Sequence, residues 1–205
     1  MEGNRIIRAA ILGAGTVGSG VYKLAGMMSE DFLNKTGARL EIKKVLVRSL
    51  NKERPGFDKS ILTDSWEEIV SDPQIDIVIE LMGGIEPART YVIEALKAGK
   101  QVVTANKDLL AEHGQEIMHA ADETGADLQF EAAVAGAIPI IRPLKQSMAG
   151  NHISEVMGIV NGTTNYILTK MTETGMSYEA ALEEATQLGY AEADPTADVE
   201  GYDAG

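Results

Sequence analysis

An apolar run, Ile6-Ile7-Arg8-Ala9-Ala10-Ile11-Leu12, opens directly into Gly13-Ala14-Gly15-Thr16-Val17-Gly18, and a helix-compatible run from Val17 to Met28 follows. A strand that hands over to a helix through G-x-G-x-x-G is the opening of a βαβ unit that binds a dinucleotide. Each glycine answers a separate requirement. Gly13 allows the tight strand-to-helix turn, Gly15 lets a pyrophosphate approach the backbone, and Gly18 lets the helix pack close on the strand. Amide groups at the helix start, which have no intrahelical partner, then face the phosphates. Gly13, Gly15, Thr16, Val17 and Gly18 are therefore the expected cofactor-binding turn. The motif alone is a weak signal, and the strand and helix patterns flanking it in the required order give it weight.

The next strand, Leu40 to Val47, follows a polar stretch, Ser29 to Gly37, that reads as a helix end and loop. In an NAD-binding unit an acid at the end of this strand holds the ribose 2′-hydroxyl. Here the strand ends in Arg48-Ser49, with Lys52 and Arg54 beyond. An arginine suits a 2′-phosphate, so NADP(H) is favoured over NAD(H), with an ordinary surface arginine as the plain alternative. Asn51 to Ile61 reads as a charged loop. Ser65-Trp66-Glu67-Glu68 has the form of a capping box opening a short helix to Val70, with Trp66 a packing residue. Ile75 to Leu81 has a buried-strand pattern and runs into Met82-Gly83-Gly84. Ala88 to Ala98 reads as a helix, Gln101 to Thr104 as a strand, then a helix to Gly114, a second from Gln115 to Thr124, and a strand from Asp127 to Glu131. This alternation predicts an α/β fold, a doubly wound parallel sheet spanning residues 1–135. Ligands of such sheets lie beyond the carboxyl ends of the strands, where Gly13, Arg48, Gly83, Thr104 and Glu131 all fall.

From Ala132 the pattern changes. Ala132 to Pro139 is small and apolar, Ile140 to Met148 reads as helical, and Ile153 to Val160 as a strand. Helices are expected over Tyr166 to Glu173 and from Ser177 to Leu188, ended by Gly189. The remainder is acidic. Residues 136–205 thus read as the start of a second, α+β domain. The formal net charge of −13 disfavours nucleic acid, which would want a basic face. There are no cysteines, so thiolate chemistry and disulfides are excluded and a reducing cytoplasm is the expected compartment. No apolar run approaches the ~20 residues of a membrane span, and Met1-Glu2-Gly3-Asn4-Arg5 does not read as the start of a signal peptide. His113, His119 and His152 lack metal-site spacing.

Two further groups of residues suggest chemistry. Lys107 directly follows a strand's carboxyl end, where it can polarise an oxygen or act as acid or base, or can be a solvated lysine at a helix start. Glu192, Asp194, Asp198 and Asp203 are carboxylates of one acidic segment that spacing alone does not separate. Taken together, the motifs resemble homoserine dehydrogenases. They are Gly13 to Gly18, Val103-Thr104-Ala105-Asn106-Lys107, Glu131 to Pro139, Gly158 to Leu168 and Gly189-Tyr190-Ala191-Glu192-Ala193-Asp194-Pro195. The resemblance implies an NAD(P)-dependent oxidoreductase that interconverts L-homoserine and L-aspartate 4-semialdehyde in threonine, methionine and isoleucine biosynthesis. By resemblance, Lys107 acts at the cofactor and substrate oxygen, Glu192 and Asp203 hold the substrate's ammonium group, and Thr104 and Gly189 contact the nicotinamide cofactor. Glu131, Val134, Gly136 and Ile138 match a monovalent-cation site suited to sodium, although a packed small-residue turn explains them nearly as well. The family pattern continues past Asp203 into a helix with an essential lysine and a returning segment that forms a homodimer. The expectation is therefore a truncated substrate domain, with cofactor affinity and little turnover. A different amino-acid-pathway dehydrogenase and a non-catalytic nucleotide-binding fragment are the alternatives.

Overall fold

In this computed structural model, residues 5–191 and 195–202 are described. The chain divides into two compact units, Met1–Ala149 and Gly150–Gly205.

The first unit is built on six parallel strands, β1 (Arg5–Leu12), β2 (Ala38–Leu46), β3 (Leu62–Thr63), β4 (Ile77–Glu80), β5 (Gln101–Thr104) and β6 (Leu128–Gln129), in the order β3-β2-β1-β4-β5-β6. The connecting helices are α1 (Thr16–Met27), α2 (Ser29–Thr36), α3 (Glu67–Val70), α4 (Ala88–Lys97) and α5 (Lys107–Thr124). The strand order reverses between β1 and β4, and that switch point is where such sheets open a crevice. Ala9 to Leu12 are buried without alternation because both faces of β1 are covered. Leu12 packs with Val78, Leu96, Val102 and Ile117 in one cluster, while Ile11 packs with Val45, Val47, Val21 and Tyr22 in another. Neighbouring side chains point to opposite faces of the strand, so the two residues before the glycine turn anchor the two layers. Each contributes about 1.5–3 kcal/mol by burial.

Four local expectations are corrected. Ser29 to Thr36 is helical, ended by the left-handed Gly37, because Glu30 and Asp31 sit in its first turn and Lys35 in its last, favourable at both poles. The capping box does not form. Trp66 takes the N-cap position with no side-chain bond to the helix amides, Glu68 pairs with Lys44 on β2, and Trp66 stacks on Tyr91 of α4 and donates through Nε1 to Glu94. Gly114 does not break a helix: α5 runs through it as one piece, with Gly114 buried. Residues 153–160 are not a strand. A strand needs a neighbour to take up its backbone groups, and no strand occurs in the second unit among the described residues.

The second unit holds α6 (Gly162–Thr174), α7 (Tyr178–Gln187) and α8 (Thr196–Val199). Asn161 caps α6 through Thr164 N–H, and Ser177 caps α7 through Ala180 N–H. The two helices close over Ile167, Ala181, Ala185 and Ala191. Among the described residues no helix is long and apolar enough to cross a membrane.

Candidate functional site

The glycine turn lies at the switch point. Gly13 has φ +104°, and a Cβ there would meet the Leu81 carbonyl oxygen at 2.7 Å. At Gly18 a Cβ would sit 2.0 Å from the Gly13 carbonyl oxygen. The protein itself therefore requires both glycines. Gly15 differs: its φ is −82°, and an added Cβ meets nothing within 4 Å. It is the N-cap of α1 and carries no side-chain cap, and no acid occupies the first turn. Gly15, Thr16 and Val17 are exposed. The amide groups of this turn thus stay available to an anion.

A hollow of about 680 Å³ opens beside the turn, lined by Gly13, Gly15, Arg48, Met82 and Tyr91 among others. Arg48, just beyond β2, is exposed there, and no carboxylate among the described residues pairs with it. Arg54 instead closes the loop after β2, where its Nη1 donates to the carbonyls of Ser49 and Lys52, both at 2.8 Å. Arg48, Lys52 and Arg54 all line the hollow, as do the carboxylates Glu53 and Asp64, and of the three cations Arg54 is engaged with the carbonyls of its own loop.

Beyond β4 and β5 lies a buried polar chain. Glu80, fully buried, accepts from Met82 N–H at 2.7 Å and from the Thr104 hydroxyl at 2.6 Å. The Thr104 oxygen accepts from Asn106 N–H at 3.1 Å. Asn106 donates through Nδ2 to the Gly84 carbonyl at 2.7 Å and caps α5 by accepting from Leu109 N–H. Lys107 is the first residue of α5 and is exposed.

Beyond β6, Glu131 accepts from three main-chain amides, those of Ile140, Ile141 and Arg142, at 2.5–2.9 Å. Desolvation pushes this carboxyl up, but the amides of Arg142, Ile140 and Ile141 and the Arg142 charge outweigh it and hold it below the usual range. The intervening turn places Ala135 and Ala137 at φ +47° and +68°, a left-handed backbone that costs about 1–2 kcal/mol per residue. Since the carboxylate faces amide donors, a cation at this turn would be left with main-chain carbonyl oxygens. Among the described residues no group of three or more His, Cys, Asp and Glu is placed to hold a metal ion.

A family model described as "Homoserine dehydrogenase, NAD binding domain" matches residues 13–131, more than half the chain, and a second, "Homoserine dehydrogenase", matches residues 139–205. The chain belongs to the homoserine dehydrogenase family. It is 49% identical over 201 residues to the homoserine dehydrogenase of Bacillus subtilis, covering 98% of this chain and 46% of that one. It is 52% identical over 198 residues to that of Mycobacterium tuberculosis, covering 97% and 45%. The crystal structure of a homoserine dehydrogenase from Thiobacillus denitrificans superposes with a TM-score of 0.87 at 45% identity, covering all of this chain and 47% of that one. A hyperthermophilic archaeal homoserine dehydrogenase in complex with NADPH gives a TM-score of 0.77 at 32% identity, covering 97% and 66%. The chain spans about half the length of the curated relatives it matches.

The expected residues of the first unit fall into three groups. Gly13, Gly15, Thr16, Val17, Gly18 and Arg48 gather at one crevice. Thr104 and Lys107 lie at the end of β5, and Glu131 follows β6 with Val134, Gly136 and Ile138 in the exposed turn beyond it. Gly189 ends α7 at φ +77°. Glu192, Asp194 and Asp203 lie outside the described residues. Asp198 accepts from Asn161 Nδ2 at 2.7 Å. Sequence reasoning missed Glu80 and Asn106. An acid within the apolar run Ile77-Val78-Ile79-Glu80-Leu81, and an asparagine one residue before a helix, were the available signals.

Proposed function

We propose that this chain is the cofactor-binding part, with the start of the substrate domain, of a homoserine dehydrogenase working with NADP(H) in the cytoplasm. The reaction is the interconversion of L-homoserine and L-aspartate 4-semialdehyde, within threonine, methionine and isoleucine biosynthesis, by an enzyme that is a homodimer at full length. One observation carries the reading. Gly13 and Gly18 are required by contacts within the protein, whereas Gly15 is required by none and stands open at a helix start beside a 680 Å³ hollow. That space suits a pyrophosphate.

The cofactor's phosphates are bound by the amides of Gly15 to Gly18. Arg48, supported by Lys52, holds the 2′-phosphate, for which its guanidinium geometry is suited. When bound, the nicotinamide ring takes or returns a hydride at the substrate's C4. In the reducing direction Lys107 would donate from Nζ to the aldehyde oxygen, stabilise the negative charge that builds there as the C4–H bond forms, and supply the proton that completes the hydroxyl; the oxidising direction returns that proton to Nζ. Thr104 contributes through its main chain, since its hydroxyl is engaged with Glu80 and Asn106. Glu192 and Asp203 hold the substrate ammonium and Gly189 meets the cofactor, three assignments carried by the family resemblance. Glu131, Val134, Gly136 and Ile138 would hold a monovalent cation such as sodium, an assignment carried by the family resemblance, and with the Glu131 carboxylate engaged by three amides the main-chain carbonyls would be the main donors.

The test is calorimetric titration with NADP and with NAD, followed in the same sample by L-homoserine and absorbance at the reduced-nicotinamide band. Tighter binding of NADP than NAD is expected, and Arg48→Ala should remove most of the difference. Absence of binding by either nucleotide would overturn the reading. Equal affinities would overturn the 2′-phosphate assignment alone.

A further inference from the structure

Among the described residues, one fully buried acid has no part in the mechanism. Glu80 is the last residue of β4, with 0% exposure. Taking a carboxylate out of water costs several kcal/mol unless its oxygens are bonded, and both oxygens here are bonded. One bond leads out of the sheet to the segment after β4, and the other crosses to the last residue of β5. The first reaches Met82 N–H, and the second the Thr104 hydroxyl. From Thr104 the chain passes to Asn106 N–H, and from Asn106 Nδ2 back across to the Gly84 carbonyl. The result is a circuit that starts at the end of β4 and returns to the loop after β4.

Strand pairing does not need this circuit. The main-chain ladder already sets β4 against β5, from Ile77↔Gln101 to Glu80↔Thr104. What the circuit adds is the conformation of residues 82–84 and 105–107. Gly83 and Gly84 are both left-handed, at φ +71° and +73°, so this loop has few side chains to restrain it. Asn106 also caps α5, whose first residue is Lys107. A dinucleotide straddles the crevice where strand order reverses, with its adenosine ribose at the end of β2. Its other half therefore lies over the ends of β4 and β5.

We propose that Glu80 is a positioning residue for the nicotinamide half of the cofactor site, acting through Thr104 and Asn106 to fix the 82–84 loop and the start of α5. The proposal rests on the reading that a nicotinamide dinucleotide binds at the glycine turn. Glu80→Gln keeps the shape but presents a donor where two neighbours already donate. Thr104→Val keeps the shape and removes the hydroxyl.

The experiment is calorimetry of the full chain with two probes, NADPH and 2′-phospho-ADP-ribose, which carries the adenosine half and pyrophosphate but no nicotinamide. Glu80→Gln and Thr104→Val should each weaken NADPH about tenfold and leave 2′-phospho-ADP-ribose within about twofold. Thr104→Ser, which restores the hydroxyl, should recover most of the NADPH affinity. Equal weakening of both probes would make the role merely structural, and unchanged NADPH binding would remove it; either result overturns the proposal. Should both buried variants fail to fold, Asn106→Asp keeps the cap on Leu109 N–H and loses the bond to Gly84, and the same split between probes decides. A wild-type chain that binds neither probe would overturn the nucleotide-binding reading itself, and the proposal with it.

Discussion

A methyl group added at Gly18 would stand 2.0 Å from the Gly13 carbonyl oxygen, and one added at Gly15 would touch nothing in the protein. The two positions therefore answer different questions. Gly18→Ala should cost several kcal/mol, on the order of 3, because the atom it meets is backbone and strand and helix must separate. Gly15→Ala should change stability by no more than about 1 kcal/mol, the loss of a favourable N-cap residue, while abolishing measurable NADPH binding. Thermal melting and calorimetry on both variants check this. A Gly15→Ala chain that binds NADPH like wild type would mean that the pyrophosphate lies elsewhere. At this scale the sequence was legible where a residue type has one physical use. The spacing of three glycines announced the turn, and Arg48 in place of an acid announced the charge beside it. Glu80 was not legible in the same way, since its partners Met82, Thr104 and Asn106 come together only once β4 and β5 pair.

Elements were legible from periodicity and misread where a local signal competed with packing. Gly114 looked like a helix end, but α5 gains more by burying Leu109, Ile117, Ala120 and Ala121 as one unit than it loses at a single glycine. Nothing lies within 4 Å of a Cβ built there, so Gly114→Ala should stabilise the chain by about 0.5–1 kcal/mol, and a lowered melting temperature would contradict this account. The capping box failed because Glu68 finds Lys44 across the sheet edge, a partner invisible in a short window. Glu131 gives the turn after β6 a pH dependence with a definite sign. Its carboxyl is held below the ordinary value, so its contribution is fully present above about 4.3, the ordinary glutamate value. That contribution is lost as pH falls through the lowered folded value. Hydrogen exchange at the amides of Ile140, Ile141 and Arg142, corrected for intrinsic rates, should lose protection in acid before the amides of β1 and β4 do. Glu131→Gln should remove that difference. Protection at these three amides that persists to the acid limit of the strand amides would show that the carboxylate does not hold the turn.

At the scale of the whole chain, the parallel sheet and its switch point follow from alternating strand and helix patterns, because each crossover is local and its handedness is fixed. The second unit was less legible. Its second helix was foreseeable from the Ser177 cap, whereas Asn161, which caps α6, stands in a stretch with the composition of a turn, so that α6 begins earlier than Tyr166. The apolar run 153–160 has the composition of a strand, yet among the described residues of this unit there is no strand to pair with it. Strand pairing is a property of two segments, and composition reports on one. Residues 151–160 are all exposed and carry no regular structure, whereas the residues lining the hollow at the glycine turn all fall between Gly13 and Tyr91. Exposed, irregular backbone is where proteases cut first. Limited digestion of the intact chain with a glutamate-specific protease should therefore cleave first after Glu155. Because the first unit holds its own core and the complete hollow, the larger product should keep NADPH affinity within about threefold of the uncut chain, less than 1 kcal/mol. First cleavage within α6 or α7 would show that the exposed stretch is protected in solution. Loss of NADPH binding on cutting at Glu155 would show that residues of the second unit contribute directly to holding the cofactor, as the family resemblance implies for Gly189, and the size of that loss would measure their share.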